Sequence, residues 1–201
     1  MHNILLVKSS LNGEQGNSTV LANEFLEVVK TKSSVKVTER DLGDNKLGHL
    51  ASAEMSSWMI PENERTQEQK ELASISDQLI VQLQASDTLV VAMPMYNFGV
   101  PSTFKAWVDR IARAGITFKY TDQGPVGLLE GKKVIVIAAR GGLYAGTPKD
   151  SQTQYLKDLF AFIGITDVEF IYAEGLNMPV KEDNLVKARE VMISMAEKIS
   201  A

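Results

Sequence analysis

The loop at residues 8–18 concentrates groups that bind anions. Ser10 and Ser18 carry hydroxyls, Gly13 and Gly16 leave backbone amides accessible, and a helical pattern begins where the loop ends. The amides and the dipole at the start of a helix favour a negative charge, so this loop is suited to a phosphate group. An ordinary polar turn in which Ser18 caps the helix has the same pattern, and the loop alone does not separate the two interpretations.

A second loop, at residues 94–101, offers surfaces for a flat ring. Tyr96 and Phe98 are planar, Met95 is polarizable, and Asn97 is both a donor and an acceptor. Prolines at both ends stiffen the loop. This combination is suited to a planar heteroaromatic ring with polar edges, and an aromatic loop that plugs the core is the alternative interpretation.

The third loop contains Ala139, Arg140 and the glycine pair Gly141 and Gly142. Adjacent glycines let a ligand approach the backbone closely and expose amide donors. A glycine-rich turn without a ligand is the simpler explanation of this loop by itself. Taken together, the three loops indicate one planar cofactor that carries a phosphate.

The elements that must position these loops alternate along the chain. Short β-rich segments, too short for helices, occupy residues 4–7, 35–39, 88–93, 133–138 and 168–173. Helical spacing begins at Ser18, at a Thr66 to Gln69 capping box, after Pro101, and around Leu156 and Leu185. The alternation predicts an α/β fold, a doubly wound five-stranded parallel sheet in a single domain spanning residues 1–201. Ligands of such sheets bind at the carboxyl ends of the strands, which is where the three loops lie.

Composition restricts the chemistry available to the side chains. The chain has no cysteine, and its only histidines are His2 and His49. Disulfides, thiolate nucleophiles and thiolate metal sites are therefore excluded, a metal centre is not expected, and redox chemistry requires a bound cofactor. A net charge of −4 with scattered basic residues argues against a nucleic-acid partner. No apolar run approaches the roughly 20 residues of a membrane helix and no signal peptide is evident, so we expect a cytoplasmic protein without a membrane partner.

Several stretches carry a resemblance to a known family: residues 94–98, 105–109, 113–120, 140–142, 162–168 and 173–175. They resemble the bacterial FMN-dependent NADH-azoreductases, also called FMN-dependent NADH:quinone oxidoreductases. The resemblance covers essentially the whole chain, and it is specific because the motifs and the lengths between them agree together. It implies a flavodoxin-like fold and a homodimer.

The resemblance also implies FMN as the bound cofactor and NADH or NADPH as the co-substrate. It assigns the FMN phosphate to Ser10, Gly16, Asn17 and Ser18, the isoalloxazine ring to Pro94, Met95, Tyr96, Asn97 and Phe98, and its pyrimidine edge to Ala139, Arg140, Gly141 and Gly142. Tyr120 and Phe162 match positions that shape the substrate pocket, although Phe162 is equally suited to the core. The family often has serine where this chain has Gly16 and Ala139, which removes one phosphate-binding hydroxyl and one hydroxyl at the flavin edge.

The function implied is the transfer of a hydride from NAD(P)H through flavin N5 to quinones, azo compounds or nitroaromatics. The mechanism would be ping-pong, with no catalytic side chain and no metal. A flavodoxin-type single-electron carrier is the alternative, but this chain is longer than a carrier needs and lacks an acidic docking patch. A flavin-free structural α/β domain is a third hypothesis.

One apolar segment, residues 47–60, lies outside the alternating pattern. The sheet core has no evident place for all of this segment's apolar side chains, which include Leu50, Met55, Trp58, Met59 and Ile60. An exposed apolar patch is typical of an interface. Folding back on the edge of the sheet is the alternative, and the family resemblance favours a dimer that forms through this segment and the active-site loops.

Overall fold

The computed structural model describes residues 1–44 and 46–199. Within these residues the strands and α-helices follow one another as β1 (His2–Lys8), α1 (Asn17–Lys32), β2 (Val35–Asp41), α2 (Ser52–Trp58), α3 (Gln67–Gln84), β3 (Thr88–Pro94), α4 (Ser102–Ile111), β4 (Phe118–Thr121), β5 (Gly124–Gly127), β6 (Lys133–Ala139), α5 (Ser151–Phe162), β7 (Asp167–Ala173) and α6 (Lys181–Ile199). Each of the five predicted strands is present and is one to three residues longer than predicted.

Five parallel strands form the main sheet in the order β2-β1-β3-β6-β7. The chain moves outward from β1 to β2 and then crosses back over β1 to β3. The strand order therefore reverses between β1 and β3, and in such sheets a crevice for ligands opens at that point beyond the carboxyl ends of the strands. The predicted doubly wound, flavodoxin-like α/β fold is confirmed, and the structure adds the strand order, which the sequence did not reveal.

Helices cover both faces of this sheet. One core packs α1 and α6 against residues such as Ile4 and Leu6, and the other packs α3, α4 and α5 against residues such as Leu5 and Val7. Every residue of β3 is buried, because this central strand has a helix layer on each side. The carboxyl ends of the strands are thus held at fixed positions relative to one another.

The start of α1 differs from the sequence prediction. The N-cap residue is Gly16, whose carbonyl accepts the amide of Val20 at 2.9 Å, so the assignment of Ser18 as the cap is wrong. A β-carbon on Gly16 would lie 2.1 Å from Ser10 Oγ, and glycine lets the loop pack this closely against the helix start. Ser18 consequently falls inside the first turn. The predicted capping box is confirmed, since Thr66 and Gln69 exchange side-chain and backbone hydrogen bonds.

Two elements were not predicted, the antiparallel β4–β5 hairpin and the short helix α2 within the apolar segment 47–60. Helix α2 folds back through Glu54, whose buried carboxylate accepts two 2.7 Å hydrogen bonds from Arg110. Trp58 is half-buried, and the Arg113 guanidinium lies 5.3 Å from its ring centroid. Met55 and Met59 stay exposed, at 51% and 83%.

Candidate functional site

A cavity of about 270 Å³ opens at the carboxyl ends of β1, β3 and β6, where the strand order reverses. It is lined by Ser10, Asn12, Asn17, Ser18, Pro94, Met95, Tyr96, Ala139, Arg140, Gly141, Leu176 and Asn177. Nine of these residues were predicted from the sequence. Four other predicted residues, Gly16, Asn97, Phe98 and Gly142, belong to the same loops but lie outside the lining.

A larger cavity, about 390 Å³, lies at the opposite end of the sheet near His2. Its lysines already have protein partners: Lys132 Nζ donates to the carbonyls of Gln84 and Ser86, and Lys133 Nζ donates to Asp167. The smaller cavity is the better candidate site because it lies at the strand ends where such folds bind ligands and because one lining hydroxyl, that of Ser18, has no partner among the described residues.

The first end of the cavity is formed by the loop after β1 and the start of α1. The hydroxyls of Ser18 and Thr19 are buried and have no hydrogen-bond partner among the described residues. Ser18 lines the cavity, and the first amides of α1 have no partner within the helix. An unpaired hydroxyl beside free helix amides is suited to an anionic group with several acceptor oxygens, so this end meets the requirements of a phosphate.

Lys8 anchors the same loop from behind rather than lining the cavity. Its ammonium donates to Glu14 at 2.6 Å and lies 2.9 Å from a carboxylate oxygen of Glu39. Burial opposes the charged form, but the hydrogen bonds and charges of these two carboxylates outweigh it and raise the pKa of Lys8. The positive charge is therefore used to hold the loop.

Tyr96 connects the loop after β1 to the loop after β3. Its hydroxyl accepts the amide of Leu11 at 3.1 Å and lies 3.5 Å from Ser10 Oγ. Beyond Tyr96 the chain makes a tight turn, in which Tyr96 and Gly99 exchange backbone hydrogen bonds of 3.2 and 2.9 Å. The first loop and this turn are thus joined at the cavity wall.

The turn places two residues in an unusual backbone conformation. Asn97 has φ 50° and Phe98 has φ 65°. A left-handed conformation is tolerated by asparagine but is costly for a bulky residue such as phenylalanine, and it persists only where neighbouring contacts enforce it. Here Ser151 Oγ donates to the carbonyl of Phe98. The Phe98 ring is 54% exposed and meets Tyr144 edge-on at 5.7 Å.

Arg140, which was predicted to bind the cofactor, lines the cavity, and its guanidinium is bonded to protein groups. The side chain is 1% exposed and contacts Glu174 and Asp150 at 3.0 Å, Thr153 at 3.0 Å and Gln152 at 3.2 Å. Burial opposes the charge on Asp150, but hydrogen bonds from Arg140 and Thr153 outweigh it and lower the pKa of this carboxyl. Glu174 also accepts the amides of Tyr144 and Ala145, at 3.0 and 2.9 Å, so the ion pair fixes the loop after β6.

The two glycines of this loop have different neighbours. A β-carbon on Gly141 would lie 2.6 Å from the Asn177 side-chain amide, and one on Gly142 would lie 2.8 Å from the Tyr144 hydroxyl. Asn177, which the sequence analysis missed, therefore packs directly on the cavity rim. Its signal was its position in the loop after β7, a fourth strand whose carboxyl end meets the same edge of the sheet.

The predicted substrate-pocket residues Tyr120 and Phe162 share a neighbour, Phe118, and lie outside the cavity lining. Phe118 contacts both of them, with ring centroids 5.4 Å from Tyr120 and 4.3 Å from Phe162. Tyr120 is 74% exposed, whereas Phe162 is partly buried and packs against the core of α3, α4 and α5.

The described residues contain neither a metal-binding cluster nor a helix suited to a membrane. Within residues 1–44 and 46–199, no three histidine, cysteine, aspartate or glutamate side chains are grouped so as to hold a metal ion. None of the helices described there has the length and apolar character needed to cross a membrane.

Known proteins resemble this chain over nearly its full length. A family model described as "flavodoxin-like fold" matches residues 2–195. An FMN-dependent NADH:quinone oxidoreductase of Alteromonas mediterranea is 51% identical over 199 residues, covering 98% of this chain and 100% of the relative. One from Alcanivorax borkumensis is 49% identical, covering 96% and 98%. The crystal structure of an FMN-dependent NADH-azoreductase from Bacillus anthracis in complex with FMN has a TM-score of 0.92 at 27% identity, with 100% of both chains covered.

Proposed function

We propose a function for this chain, which belongs to the FMN-dependent NADH:quinone oxidoreductases, a family with the flavodoxin-like fold. The protein uses NADH to reduce quinones and aromatic azo compounds through bound FMN. The family is the one that the sequence motifs resembled. The observation that carries the proposal is the agreement between these relatives and the cavity at the strand reversal. The buried Ser18 hydroxyl there has no partner among the described residues, and Met95 and Tyr96 border the cavity from the loop after β3.

Ser10, Asn17 and Ser18 would hold the FMN phosphate, with the Ser18 hydroxyl and the first amides of α1 donating to its oxygens. Met95, Tyr96 and Gly141 would border the ring. When bound, FMN supplies the group that accepts a hydride from one substrate and delivers it to the next. Backbone amides of the loop after β6 would stabilise negative charge at the pyrimidine edge, as an oxyanion hole does.

Exposed apolar side chains beside the cavity provide a place for flat substrates. Phe98 and Leu143 are 54% and 51% exposed, and Tyr144 packs against Phe98. We propose that the nicotinamide and the electron acceptor use this surface in turn, which gives ping-pong kinetics, and that the enzyme works in the cytoplasm, where NADH is available. The electron-carrier alternative is not favoured, because the relatives are named as oxidoreductases.

The decisive experiment is an anaerobic stopped-flow comparison of NADH and NADPH with the FMN-loaded protein. We expect NADH to bleach the flavin absorbance and a quinone or azo dye to restore it without NADH present. Flavin that neither nucleotide bleaches, in a protein that still passes electrons to another redox protein, would favour the carrier instead. A purified chain that does not bind FMN at all would refute both.

We also propose that the chain forms a homodimer through α2. Met55 on this helix and Met59 just after its end expose apolar surface, while Glu54 and Arg110 fix the helix to the protein. Met59→Glu should shift the sedimentation coefficient from dimer to monomer. Val186→Glu, on the outer face of α6 and 54% exposed, is the matched control. A wild-type chain that sediments as a monomer with full activity would contradict the proposal.

A further inference from the structure

Gln152 connects the two loops that border the ring end of the cavity. It is the second residue of α5 and is 1% exposed. Its side-chain oxygen accepts Arg140 Nε at 3.2 Å, and its side-chain nitrogen donates to the carbonyls of Pro94 at 3.0 Å and Gly99 at 3.1 Å. One buried amide therefore bonds to the loop after β3 and to the loop after β6.

The chemistry of these partners requires a carboxamide. Arg140 can only donate and the two carbonyls can only accept, so the group between them must supply one acceptor and two donors at one point. Glutamate would place a carboxylate oxygen against two carbonyl oxygens. Methionine would fill the space and leave Arg140 Nε and both carbonyls without this partner, which is unfavourable for buried groups.

Both loops depend on the groups that Gln152 holds. The Gly99 carbonyl also accepts the amide of Tyr96, and this bond closes the turn that keeps Asn97 and Phe98 at positive φ. On the other side, Arg140 holds Glu174, which accepts the amides at the start of the segment after Leu143. A displacement of the Gln152 amide would therefore be transmitted to both sides of the cavity.

We propose that Gln152 is a positioning residue for the flavin: it sets the spacing between residues 94–99 and residues 139–145, and through that spacing the affinity and electronic environment of the ring. The inference rests on the proposed function for its ligand. The coupling of the two loops, however, is a property of the protein alone and can be measured without FMN.

The test compares Gln152→Met and Gln152→Glu with Gln154→Met, a matched control two residues further along α5. Gln154 is exposed, and its amide donates to Asp158 on the same helix. In the apoprotein, hydrogen–deuterium exchange should rise in both loops for Gln152→Met. For Gln152→Glu, which keeps an acceptor for Arg140, exchange should rise only in residues 94–99. Gln154→Met should leave both loops unchanged.

The flavin itself is then measured in the protein reconstituted with FMN. We expect Gln152→Met to weaken FMN binding about tenfold, as typical couplings of 5–150-fold suggest, and to change the visible circular dichroism and the midpoint potential of bound flavin. A lower melting temperature with unchanged loop exchange, flavin spectrum and potential would overturn the inference, because a merely structural role predicts that result. If Gln152→Met does not fold, Gln152→Glu carries the test, and unchanged exchange in residues 94–99 would overturn it. A wild-type chain that does not bind FMN would refute the proposed function and the positioning of flavin, while the exchange result would still decide whether the loops are coupled.

Discussion

The two ends of the cavity are constructed differently. At the ring end, Arg140 and Gln152 are buried and bonded to protein groups through their polar side-chain atoms. At the phosphate end, the buried Ser18 hydroxyl has no partner among the described residues, and a buried group left unpaired costs about 1–3 kcal/mol. Thr103 and Tyr155 have similar unpaired hydroxyls, but only the Ser18 hydroxyl belongs to a residue that lines the cavity. The phosphate end therefore has a free donor for a ligand, whereas the ring end is held in place by bonds within the protein.

The largest effect should come from a charge introduced at the phosphate end. Ser18→Asp places a carboxylate against the phosphate, and two unit charges 4 Å apart repel by about 4 kcal/mol at an effective dielectric of 20. This repulsion predicts about a thousandfold loss of FMN affinity, measured by titration of the apoprotein with FMN, and a colourless protein on purification. Ser102→Asp, at the exposed start of α4 and outside the cavity lining, is the control.

Ser18→Ala separates binding from folding at the same position. Because the hydroxyl has no protein partner among the described residues, its removal should not lower the melting temperature of the apoprotein. FMN affinity should still fall by about tenfold, the value of one hydrogen bond. A destabilised apoprotein with unchanged affinity would show that Ser18 serves the fold rather than the phosphate.

Removing a charge at the ring end should give the opposite result, a loss of stability rather than a selective loss of FMN affinity. Glu174→Gln weakens the contacts to Arg140 and to the amides of Tyr144 and Ala145, and hydrogen bonds to charged groups contribute about 1.5–3 kcal/mol. We expect the apoprotein to lose roughly that much unfolding free energy in urea titrations. Full stability with a selective loss of FMN affinity would mean that Glu174 acts on the ligand directly.

The strands and long helices were predictable because their signals are local. Apolar runs define β3 and β6, and the Thr66 capping box marks the start of α3 within one residue. The strand order was not predictable, because it depends on how crossovers pack in space. Helix α2 was also missed: it is only seven residues long, and a buried ion pair to Arg110, 56 residues away, holds it in place.

The candidate site was predictable only as loops. Motifs placed nine of the lining residues, but the direction of each side chain depends on distant partners. The Arg140 guanidinium is held by Asp150 and Glu174, and Gln152 connects segments 12 and 58 residues away. Asn177 was missed because the motif at the start of its loop, residues 173–175, ends before it, although the loop follows a strand that ends at the same edge.

Gly142 tests whether the ring end is shaped by the protein or by the ligand. The sequence suggested that glycine is needed for close approach of flavin, whereas the structure places the Tyr144 hydroxyl 2.8 Å from where a β-carbon on Gly142 would lie. Gly142→Val should weaken FMN binding about tenfold, because overpacking typically costs about 1–3 kcal/mol and moves neighbouring backbone. Tyr144→Ala in the same chain should restore much of the affinity. Loss that persists in the double variant would assign the space to flavin, as the sequence suggested.

The smallest expected effect is on the stability of the apoprotein in acid. Its test compares Asp150 and Glu14, the carboxylates that anchor the two ends. Asp150 is 6% exposed beside Arg140, while Glu14 is 64% exposed beside Lys8. Hydrogen bonds from Arg140 and Thr153 lower the pKa of Asp150 despite the opposing effect of burial, and the hydrogen bond from Lys8 lowers the pKa of Glu14. A carboxyl whose pKa is depressed by folding stabilises the fold above its unfolded pKa, about 4 for both residue types, and this contribution is lost as the pH falls through the depressed value.

Exposed ion pairs contribute little, so the acid sensitivity should come from Asp150 rather than Glu14. We expect the melting temperature of the apoprotein to fall between pH 5 and pH 3 equally in the wild type and in Glu14→Gln. Asp150→Asn should melt at a lower temperature at pH 6 and show a shallower fall, because the titrating group is already absent. As the pH is lowered toward 4, hydrogen exchange should rise in residues 139–145 before it rises in residues 10–19. If the melting temperature falls equally steeply with pH in the wild type and in Asp150→Asn, the buried ion pair between Asp150 and Arg140 does not control the stability of the ring end in acid.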